Sequence, residues 1–372
     1  MKLSDLGEFG LIAQIRERFP APDGTTGIGD DCAILPQHGG RDTLVSTDML
    51  VEGTHFLRDD IPPYSLGWKS AAVNLSDIAA MGGQPTGTFL SLALPADLDA
   101  GWVEEFLRGY REISAQFRTP LLGGDTTASP DRICINVAVL GECPTGMART
   151  RSNARPGDLV CVTGTLGDSA AGLKAILEGV EREADVQALI DRHYRPLPRV
   201  EEGRQLAATP GVHAMMDISD GIGSDLQHII EASSRFGSAA TAGAEKEPSL
   251  RSEMPLQQHP AETGMQINAE IDFAAIPLSA KLQRVCKKLG WDATQLAVSG
   301  GEDYELLFTV DPAAEARLTV PHTVIGRITG SPVKPGMTRW SSFADPSPSF
   351  AAPSPSFADL IGESGYDAFK KR

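Results

Sequence analysis

The sequence predicts an α/β protein with two domains. The chain has 372 residues, more than the roughly 250–300 residues at which a single hydrophobic core stops growing, so we expect two cores. Apolar residues make up 41% of the sequence and charged residues 22%, which is typical of a folded enzyme. Its 38 glycines and 26 prolines divide the chain into many short elements, in which strand-like apolar runs alternate with apolar residues at helical spacing.

The first half of the chain contains three helical patterns and five strand-like runs. In order, these are a helix at 6–19, strands at 32–36 and 43–48, a helix at 65–83, a strand at 86–95, a helix at 100–118, and strands at 119–127 and 133–143. The third helix is the clearest, because its apolar residues recur on one face. The fourth strand is expected to break at the glycine pair Gly123 and Gly124.

The second half repeats the α/β pattern. Residues 151–158 are polar and rich in turn formers, so we expect a first domain at 1–150 and a second at 151–372. The second domain is predicted to contain a strand, loop and helix at 158–177, a strand running into a helix at 214–233, and a glycine turn feeding a strand at 296–310. Two segments are expected to be exposed and irregular, namely 238–268, which lacks apolar periodicity, and 341–358, which contains PSPSFA twice.

The charge and the cysteine content argue against several classes of protein. A net charge of −16 without clustered Lys and Arg argues against a nucleic-acid partner. Five cysteines without a Cys-x-x-Cys pair argue against a disulfide framework or a zinc site and favour a reducing compartment. The N-terminus lacks a signal-peptide core, and no apolar stretch approaches the ~18 residues that a membrane span needs. We therefore expect a soluble, cytoplasmic protein.

Seven aspartates stand at predicted strand ends, turns and helix starts. They are Asp30, Asp31, Asp48, Asp77, Asp125, Asp217 and Asp220. Two adjacent carboxylates repel each other by roughly 4 kcal/mol at ~4 Å and an effective dielectric of ~20, so the pair at 30–31 is expected to have a positive partner. Three of the sites also have hydroxyls beside the acid, from Ser46, Thr47, Ser76 and Ser219. Hard oxygen ligands of this kind suit Mg²⁺, which is usually held by one or two carboxylates, waters and the phosphates of a substrate.

Other interpretations of these motifs are open. Each aspartate taken alone fits a helix N-cap or a turn. Calcium storage is disfavoured, because the twelve-residue loop with alternating acids and a closing glutamate is absent. The glycine loop at 164–172 could present N–H groups to a phosphate, but it lacks the Walker lysine, and an ordinary strand-to-helix turn is favoured. The glycines of 299–305 fit a left-handed turn. Cys32, beside Asp31, is most simply a small buried residue.

Eight motifs, taken in order, are similar to those of the thiamine-monophosphate kinase family. They are GIGDDCAIL, STDMLVEGTHF, AVNLSDIAAMG, LLGGDTT, TRSNARPGD, VTGTLGDSAAGL, DISDGIGSDL and SGGEDYELLF. Single motifs recur in the wider superfamily of ATP-binding synthetases that includes aminoimidazole ribonucleotide synthetase. The full series, which spans most of the chain, resembles the kinases more closely.

The resemblance implies a fold and a reaction. The fold is a two-domain, aminoimidazole ribonucleotide synthetase-like α/β fold, with an N-terminal α/β domain that pairs with its twin in a homodimer and a C-terminal α+β domain. The reaction converts ATP and thiamine monophosphate into ADP and thiamine diphosphate with the help of several Mg²⁺ ions. The family's magnesium ligands correspond to Asp31, Ser46, Thr47, Asp48, Asp77, Asp125, Asp217 and Asp220. Its nucleotide contacts correspond to Gly124, Asp125, Arg151, Ser219 and Tyr110, and its thiamine-phosphate contacts to His55 and Glu302.

The chain departs from the family near its C-terminus. The family places an aromatic residue there against the thiamine rings, and the corresponding position in this chain is Glu363. The aromatic residues that could substitute are Trp340, Phe343 and Tyr366.

The chemistry of phosphoryl transfer agrees with the residues present. The reaction requires mainly in-line positioning and cations, and a phosphate monoester with a second pKa near ~6 is mostly ionised at neutral pH, so no general base is needed. Two alternatives stand beside this interpretation, namely another synthetase of the superfamily and a non-catalytic metal-binding protein. A selenophosphate synthetase is disfavoured, because no reactive cysteine stands in an N-terminal glycine-rich segment.

Overall fold

The computed structural model describes residues 3–37, 39–242, 266–331 and 339–340. Within these residues the chain forms helices and two mixed sheets, which confirms the predicted α/β class. The first sheet lies at 33–144 and the second at 159–340, on either side of the expected domain boundary. The boundary itself stays a prediction.

The first half of the chain is built on a five-stranded sheet. Its elements are α1 (Leu3–Arg18), β1 (Ala33–Pro36), β2 (Arg41–Val51), α2 (Pro63–Ala80), β3 (Gln84–Pro95), α3 (Ala100–Gln116), β4 (Leu121–Ser129) and β5 (Cys134–Pro144). The strands lie in the order β1-β2-β5-β3-β4, and neighbours are antiparallel except for the parallel pair β3 and β4. Helix α2 packs on β2, β3 and β5, and α3 packs on α2.

The second half is built on a six-stranded sheet. Its elements are β6 (Leu159–Val162), α4 (Asp168–Leu177), α5 (Ala184–Tyr194), α6 (Val200–Ala208), β7 (Val212–Asp217), α7 (Ile222–Ala242), β8 (Gln266–Ile271), α8 (Ala280–Leu289), α9 (Ala293–Ser299), β9 (Leu306–Val310), α10 (Pro312–Glu315), β10 (Thr323–Ser331) and β11 (Arg339–Trp340). The strands lie in the order β11-β8-β10-β6-β9-β7.

Helix α2 lies between the two halves and is buried along most of its length. It packs against α5, α6 and β7 of the second half as well as against the first sheet. A glycine permits the closest approach, since a Cβ atom at Gly203 of α6 would lie only 2.1 Å from the carbonyl oxygen of Ala79. The indole of Trp68 donates to the carbonyl of Pro196 at 2.8 Å. Polar residues on α2 are therefore positioned between the two sheets.

Two sequence predictions about local structure are wrong. Strand β4 does not break at its glycine pair, because Gly124 lets β3 approach closely: a Cβ atom there would lie 1.7 Å from the carbonyl oxygen of Leu90. The expected irregular segment 238–268 also has regular ends, since α7 continues to Ala242 and β8 begins at Gln266.

Several predictions concern parts of the chain outside the described residues. They are the middle of the 238–268 segment, the segment at 341–358, Phe343, Glu363 and Tyr366. Trp340 is the last residue of β11, but the structure describes only its backbone. Among the helices that are described, none is both long enough and apolar enough to cross a membrane.

Candidate active site

Three aspartates from distant parts of the chain meet between the two halves. Asp31 precedes β1, Asp77 lies in the last turn of α2, and Asp217 ends β7. One carboxylate oxygen from each lies within 4.8 Å of the others. We call these three residues the carboxylate cluster. Two of the three side chains come from the first half and one from the second, so the cluster depends on the packing of α2 between the sheets.

Two serine hydroxyls orient this cluster. The Oγ atom of Ser46, on β2, donates to Oδ2 of Asp77 at 2.6 Å. The Oγ atom of Ser76, the residue before Asp77 on α2, donates to Oδ2 of Asp217. Each serine therefore fixes a carboxylate of another element, which supports the expectation that hydroxyl oxygens accompany the acids.

Arg151 is the positive partner of the adjacent aspartates that stand before β1. Its guanidinium donates to Oδ1 of Asp31, and its backbone N–H lies 3.3 Å from both carboxylate oxygens of Asp30. Asp30 also accepts from the N–H of Asp31 at 3.2 Å. Asp30 therefore fixes the backbone of the turn, while Asp31 points its carboxylate toward the cluster.

Burial and mutual repulsion make these carboxylates reluctant to ionise. Burial, with the neighbouring charge of Asp31, raises the pKa of Asp30 and of Asp217 to about 7 and that of Asp48 to about 6. Burial also raises the pKa of Asp77 well above its usual value, and the charges of Asp48, Asp217 and Asp31 raise it further. Like charges gathered in a buried site in this way are stabilised by a bound cation.

A second polar group lies around Glu302, in the segment before β9. Its Oε2 atom lies 2.8 Å from Nζ of Lys69 on α2 and 3.2 Å from Nδ1 of His193 on α5. Glu302 has a left-handed backbone with a φ of 62°, and its N–H donates to the carbonyl of Ser219 at 2.8 Å. This bond ties Glu302 to the loop that follows Asp217.

His55 lies near this group. Its Nδ1 atom accepts from the N–H of Val51 at 2.9 Å, which places the proton of the neutral ring on Nε2. Burial lowers the pKa of His55; the charge of Glu302 raises it and that of Lys69 lowers it. The site thus combines a carboxylate cluster with a neighbouring region that offers a carboxylate and an imidazole N–H.

Comparisons with known proteins agree with this geometry. A family model described as "AIR synthase related protein, N-terminal domain" matches residues 29–143, and its counterpart for the C-terminal domain matches 155–334. Thiamine-monophosphate kinase of Escherichia coli strain K12 is 40% identical over 335 residues, which are 87% of this chain and 90% of that protein. The chain belongs to the thiamine-monophosphate kinase family.

Solved structures of this family superpose on the chain. One described as "AaThiL complexed with AMPPCP and TMP" has a TM-score of 0.74 at 35% identity, covering 89% of this chain and 93% of its own. Thiamine monophosphate kinase of Aquifex aeolicus has a TM-score of 0.71 at 33% identity, covering 91% and 97%. The two-domain fold expected from the resemblance is therefore confirmed.

The structure brings some of the residues implied by the kinase family to the cluster. Ser46 and Asp48 lie on the inner face of β2, since their side chains alternate with that of Thr47. Asp220 follows Asp217 in the same loop, and the charges of Asp48 and Glu302 act on its pKa, which burial raises to about 6. Ser219 lies between these two aspartates and contacts Glu302 through its carbonyl.

Other residues of the predicted set lie elsewhere in the single chain. Thr47 is on the outer face of the sheet, where its hydroxyl donates to the carbonyl of Val137 at 3.1 Å. Gly124 and Asp125 lie on β4, three strands away from β2, or about 14 Å at normal strand spacing. Tyr110 is buried in α3, and its hydroxyl donates to Thr88 at 2.8 Å. Contacts of these four residues with metal or nucleotide stay predictions.

The two glycine motifs of the second half have structural roles. The N–H groups of Gly167 and Ser169 in the loop before α4 donate to the carboxylate of Asp303, at 2.8 and 3.4 Å. In this structure the N–H groups of the loop therefore bind a carboxylate of their own chain, in the way that they could otherwise bind a phosphate. In the other motif, Gly301 allows close approach rather than a left-handed turn, because a Cβ atom there would lie 2.2 Å from the carbonyl oxygen of Ser219.

Sequence reasoning missed Lys69, His193 and Asp225. Lys69 is 1% exposed and lies on α2, a helix that is otherwise rich in apolar residues. A single basic residue in such a helix indicates a buried ion pair, and this signal could have identified Lys69. Asp225 and His228 stand three residues apart on α7, a spacing that places them on one helix face. His193 carries no comparable signal in its surrounding sequence.

Proposed function

We propose that this chain transfers the γ-phosphoryl group of ATP to thiamine monophosphate, giving ADP and thiamine diphosphate. The observation that carries the proposal is the meeting of Asp31, Asp77 and Asp217 from both halves of the chain. Relatives at up to 40% identity carry the name of this kinase, and a structural relative is described with AMPPCP, an analogue of ATP, and TMP.

The residues of the carboxylate cluster fit Mg²⁺. Oδ2 of Asp31 is buried and has no hydrogen-bond partner among the described residues, so it is available to a cation. The donor set of the cluster is all oxygen, which magnesium prefers. We assign the ligands to Asp31, Ser46, Asp48, Asp77, Asp217 and Asp220. When bound, Mg²⁺ neutralises charge on the phosphoryl oxygens.

The remaining residues position the two substrates. Arg151 lies at the edge of the cluster, where its guanidinium can contact the nucleotide phosphates as well as Asp31. His55 and Glu302 offer one donor and one carboxylate to thiamine monophosphate. The acceptor phosphate is itself the nucleophile and is mostly dianionic at neutral pH, so the chain needs no side chain to remove a proton.

We also infer that the chain works as a homodimer through its first sheet. Strand β4 is exposed along nearly its whole length. Met49, Phe89, Leu121 and Leu122 expose 41–58% of their surface on this sheet. The exposed apolar side chains of this sheet can pack against the same face of a second copy. In such a dimer, Asp125 of the partner's β4 can approach β2, which it does not reach in its own chain.

The reaction is tested by incubating the protein with Mg²⁺, ATP and thiamine monophosphate and separating the products by chromatography. The proposal expects ADP and thiamine diphosphate in equal amounts, formed more slowly, by about a hundredfold or more, in Asp77→Asn. ADP without thiamine diphosphate would favour another synthetase of the superfamily. Metal binding without turnover of any tested substrate would favour a metal-binding protein.

A further inference from the structure

A single hydroxyl on α7 holds the backbone of the segment that carries Arg151. This segment forms one 3₁₀ turn at Arg151–Asn153, between β5 and β6. The Oγ atom of Ser233 donates to the carbonyl oxygen of Arg151 at 3.0 Å and accepts from the N–H of Ala154, also at 3.0 Å. In a 3₁₀ turn, the carbonyl of one residue faces the N–H of the third residue after it. The serine therefore contacts both members of this pair and closes the turn.

Ser233 lies on the apolar face of α7. The same face carries Leu226, Ile229 and Ile230, and all four side chains are buried. A hydroxyl on such a face must find its hydrogen-bond partners within the protein. The neighbouring Ser234 donates to a carbonyl of its own helix, that of Ile230, at 2.8 Å. Ser233 instead binds backbone groups of another segment, so it joins α7 to the turn of Arg151.

Other contacts hold the N-terminal side of the turn. The N–H of Arg151 lies 3.3 Å from both carboxylate oxygens of Asp30, and the carbonyl of Thr150 accepts from the N–H of Met215 on β7 at 3.2 Å. Ser233 holds the C-terminal side. Without its hydroxyl, the turn keeps its own hydrogen bonds, whose geometry is poor in a 3₁₀ helix. The backbone of Arg151 can then shift.

The side chain of Arg151 has a donor left for a ligand. Its guanidinium donates to Asp31, and its Nε atom lies 4.0 Å from Oδ1 of Asp30, too far for a hydrogen bond. Nε is buried and has no hydrogen-bond partner in the part of the chain that the structure describes. An unpaired donor beside the carboxylate cluster suits an oxygen of a phosphate. Arginine binds phosphate through N–H groups of fixed geometry, so a small shift of its backbone misaligns them.

We propose that Ser233 is a positioning residue for the nucleotide, because its hydroxyl holds Arg151 where the guanidinium contacts both Asp31 and the phosphates of ATP. The inference rests on the proposed function, in which Arg151 contacts the nucleotide. It adds that α7 supports two parts of the site. The helix begins just after the loop of Asp217 and Asp220 and reaches Ser233 about three turns later. The magnesium loop and the nucleotide-binding arginine therefore share one helix.

The test is equilibrium binding of AMPPCP in the presence of Mg²⁺. Ser233→Ala is expected to weaken binding about three- to tenfold, the effect of losing about one hydrogen bond. Ser234→Ala removes a hydroxyl from the next residue of the same helix and is the matched control, which should change the affinity by less than about twofold. Ser233→Cys keeps the shape of the side chain but forms only weak hydrogen bonds, so it should weaken binding in the same direction even if the alanine variant does not fold.

A second readout separates positioning from a general effect on the fold. Because Ser233 acts through Arg151, Ser233→Ala combined with Arg151→Ala should bind AMPPCP no more weakly than Arg151→Ala alone. In steady-state kinetics, Ser233→Ala should raise the KM for ATP and leave the KM for thiamine monophosphate within about twofold of the native value. Losses that multiply in the double variant, or KM values that rise equally for both substrates, would overturn the inference.

The binding experiment also distinguishes failure of this inference from failure of the proposed function. Equal affinities for AMPPCP in the native protein, Ser233→Ala and Ser233→Cys would overturn the role of Ser233 alone. If the native protein does not bind AMPPCP, the proposed function fails, and the inference fails with it.

Discussion

Nζ of Lys69 lies 2.8 Å from Oε2 of Glu302, in an ion pair whose side chains are 1% and 9% exposed. The pair joins α2 of the first half to the segment before β9 of the second. Removing two charges from water costs several kcal/mol each, and this cost is offset only when the geometry is close and other hydrogen bonds are made. The pair therefore holds Glu302 in a single orientation beside His55.

Lys69→Met is expected to lower the free energy of unfolding by about 3–5 kcal/mol, because it leaves Glu302 buried without its ammonium partner. Urea denaturation measures this loss. The KM for thiamine monophosphate should rise more than kcat falls, since the orientation of Glu302 is lost while the carboxylate cluster is intact. Lys69→Met combined with Glu302→Gln should recover part of the stability.

The control for this variant is Lys288→Met. Lys288 also contacts a glutamate, Glu183 at 2.6 Å, but both side chains are more than half exposed. Exposed ion pairs contribute up to about 1 kcal/mol, so the control should stay within that range. A loss no larger in Lys69→Met than in the control would contradict the structural role of the buried pair.

His193 makes the protein sensitive to acid. Burial and the charge of Lys69 together lower its pKa to about 3, while the charge of Glu302 opposes the shift. As the pH falls from about 6.5 toward 3, the unfolded chain takes up a proton that the folded chain does not, so stability is lost over this range. The loss is about 2 kcal/mol at pH 5.

His193→Gln should remove this part of the pH dependence. Its free energy of unfolding is expected to be lower than native at pH 7, because the contact of Nδ1 with Ser169 at 3.0 Å is lost, but to fall less between pH 7 and pH 5. Denaturation at the two pH values measures the difference. A slope equal to that of the native protein would show that His193 is protonated in the folded state.

Much of this fold could be predicted because its signals are local. Helix α3 and strand β5 follow from apolar periodicity, and the acids of the cluster stand where apolar runs end. The contacts that assemble the site are not local. Lys69 and Glu302 are 233 residues apart, and Arg151 and Asp31 are 120 apart, so no window of sequence contains either pair.

Glycine motifs were predicted less well, for a physical reason. A glycine pair indicates either a turn or a close approach, and only the packed structure distinguishes them. At Gly124 and Gly301 the neighbour is a carbonyl oxygen of another segment, Leu90 in one case and Ser219 in the other. The first helix is a similar case, because its apolar residue Ile15 and the following Phe19 have helical spacing but are exposed in the single chain.

Asp77→Asn and Asp217→Asn are expected to retain the fold and to lose turnover by about a hundredfold or more, since each removes a charged oxygen from the proposed magnesium site. Without divalent ions at pH 8, their melting temperatures should equal or exceed that of the native protein. The raised pKa of both groups shows that their charge is unfavourable in the folded state. Near-native rates at limiting Mg²⁺ would contradict the assigned role.

Arg151→Ala is expected to raise the KM for ATP about tenfold or more, as charge-assisted hydrogen bonds to phosphate are lost. Arg155→Ala is the matched control, because Arg155 is exposed in the same segment and bonds Asp158 through its backbone. Equilibrium binding of an ATP analogue measures both variants. Equal affinities would mean that Arg151 serves only to neutralise Asp31.

The position of Asp125 predicts that two inactive variants restore activity to each other. Leu90 pairs with Gly124 on one side and with Val137 on the other, and Val137 pairs with Asp48, so β5 and β3 separate Asp125 from the magnesium ligands of its own chain. If the partner's β4 supplies Asp125, a dimer of Asp77→Asn with Asp125→Asn contains one intact site. Random exchange of subunits makes half of the dimers mixed, so about a quarter of native activity should return.

The activity is measured after unfolding and refolding the two variants together, with each refolded alone as the control. If activity does not return although mixed dimers form, Asp125 acts within its own chain or has no role in turnover.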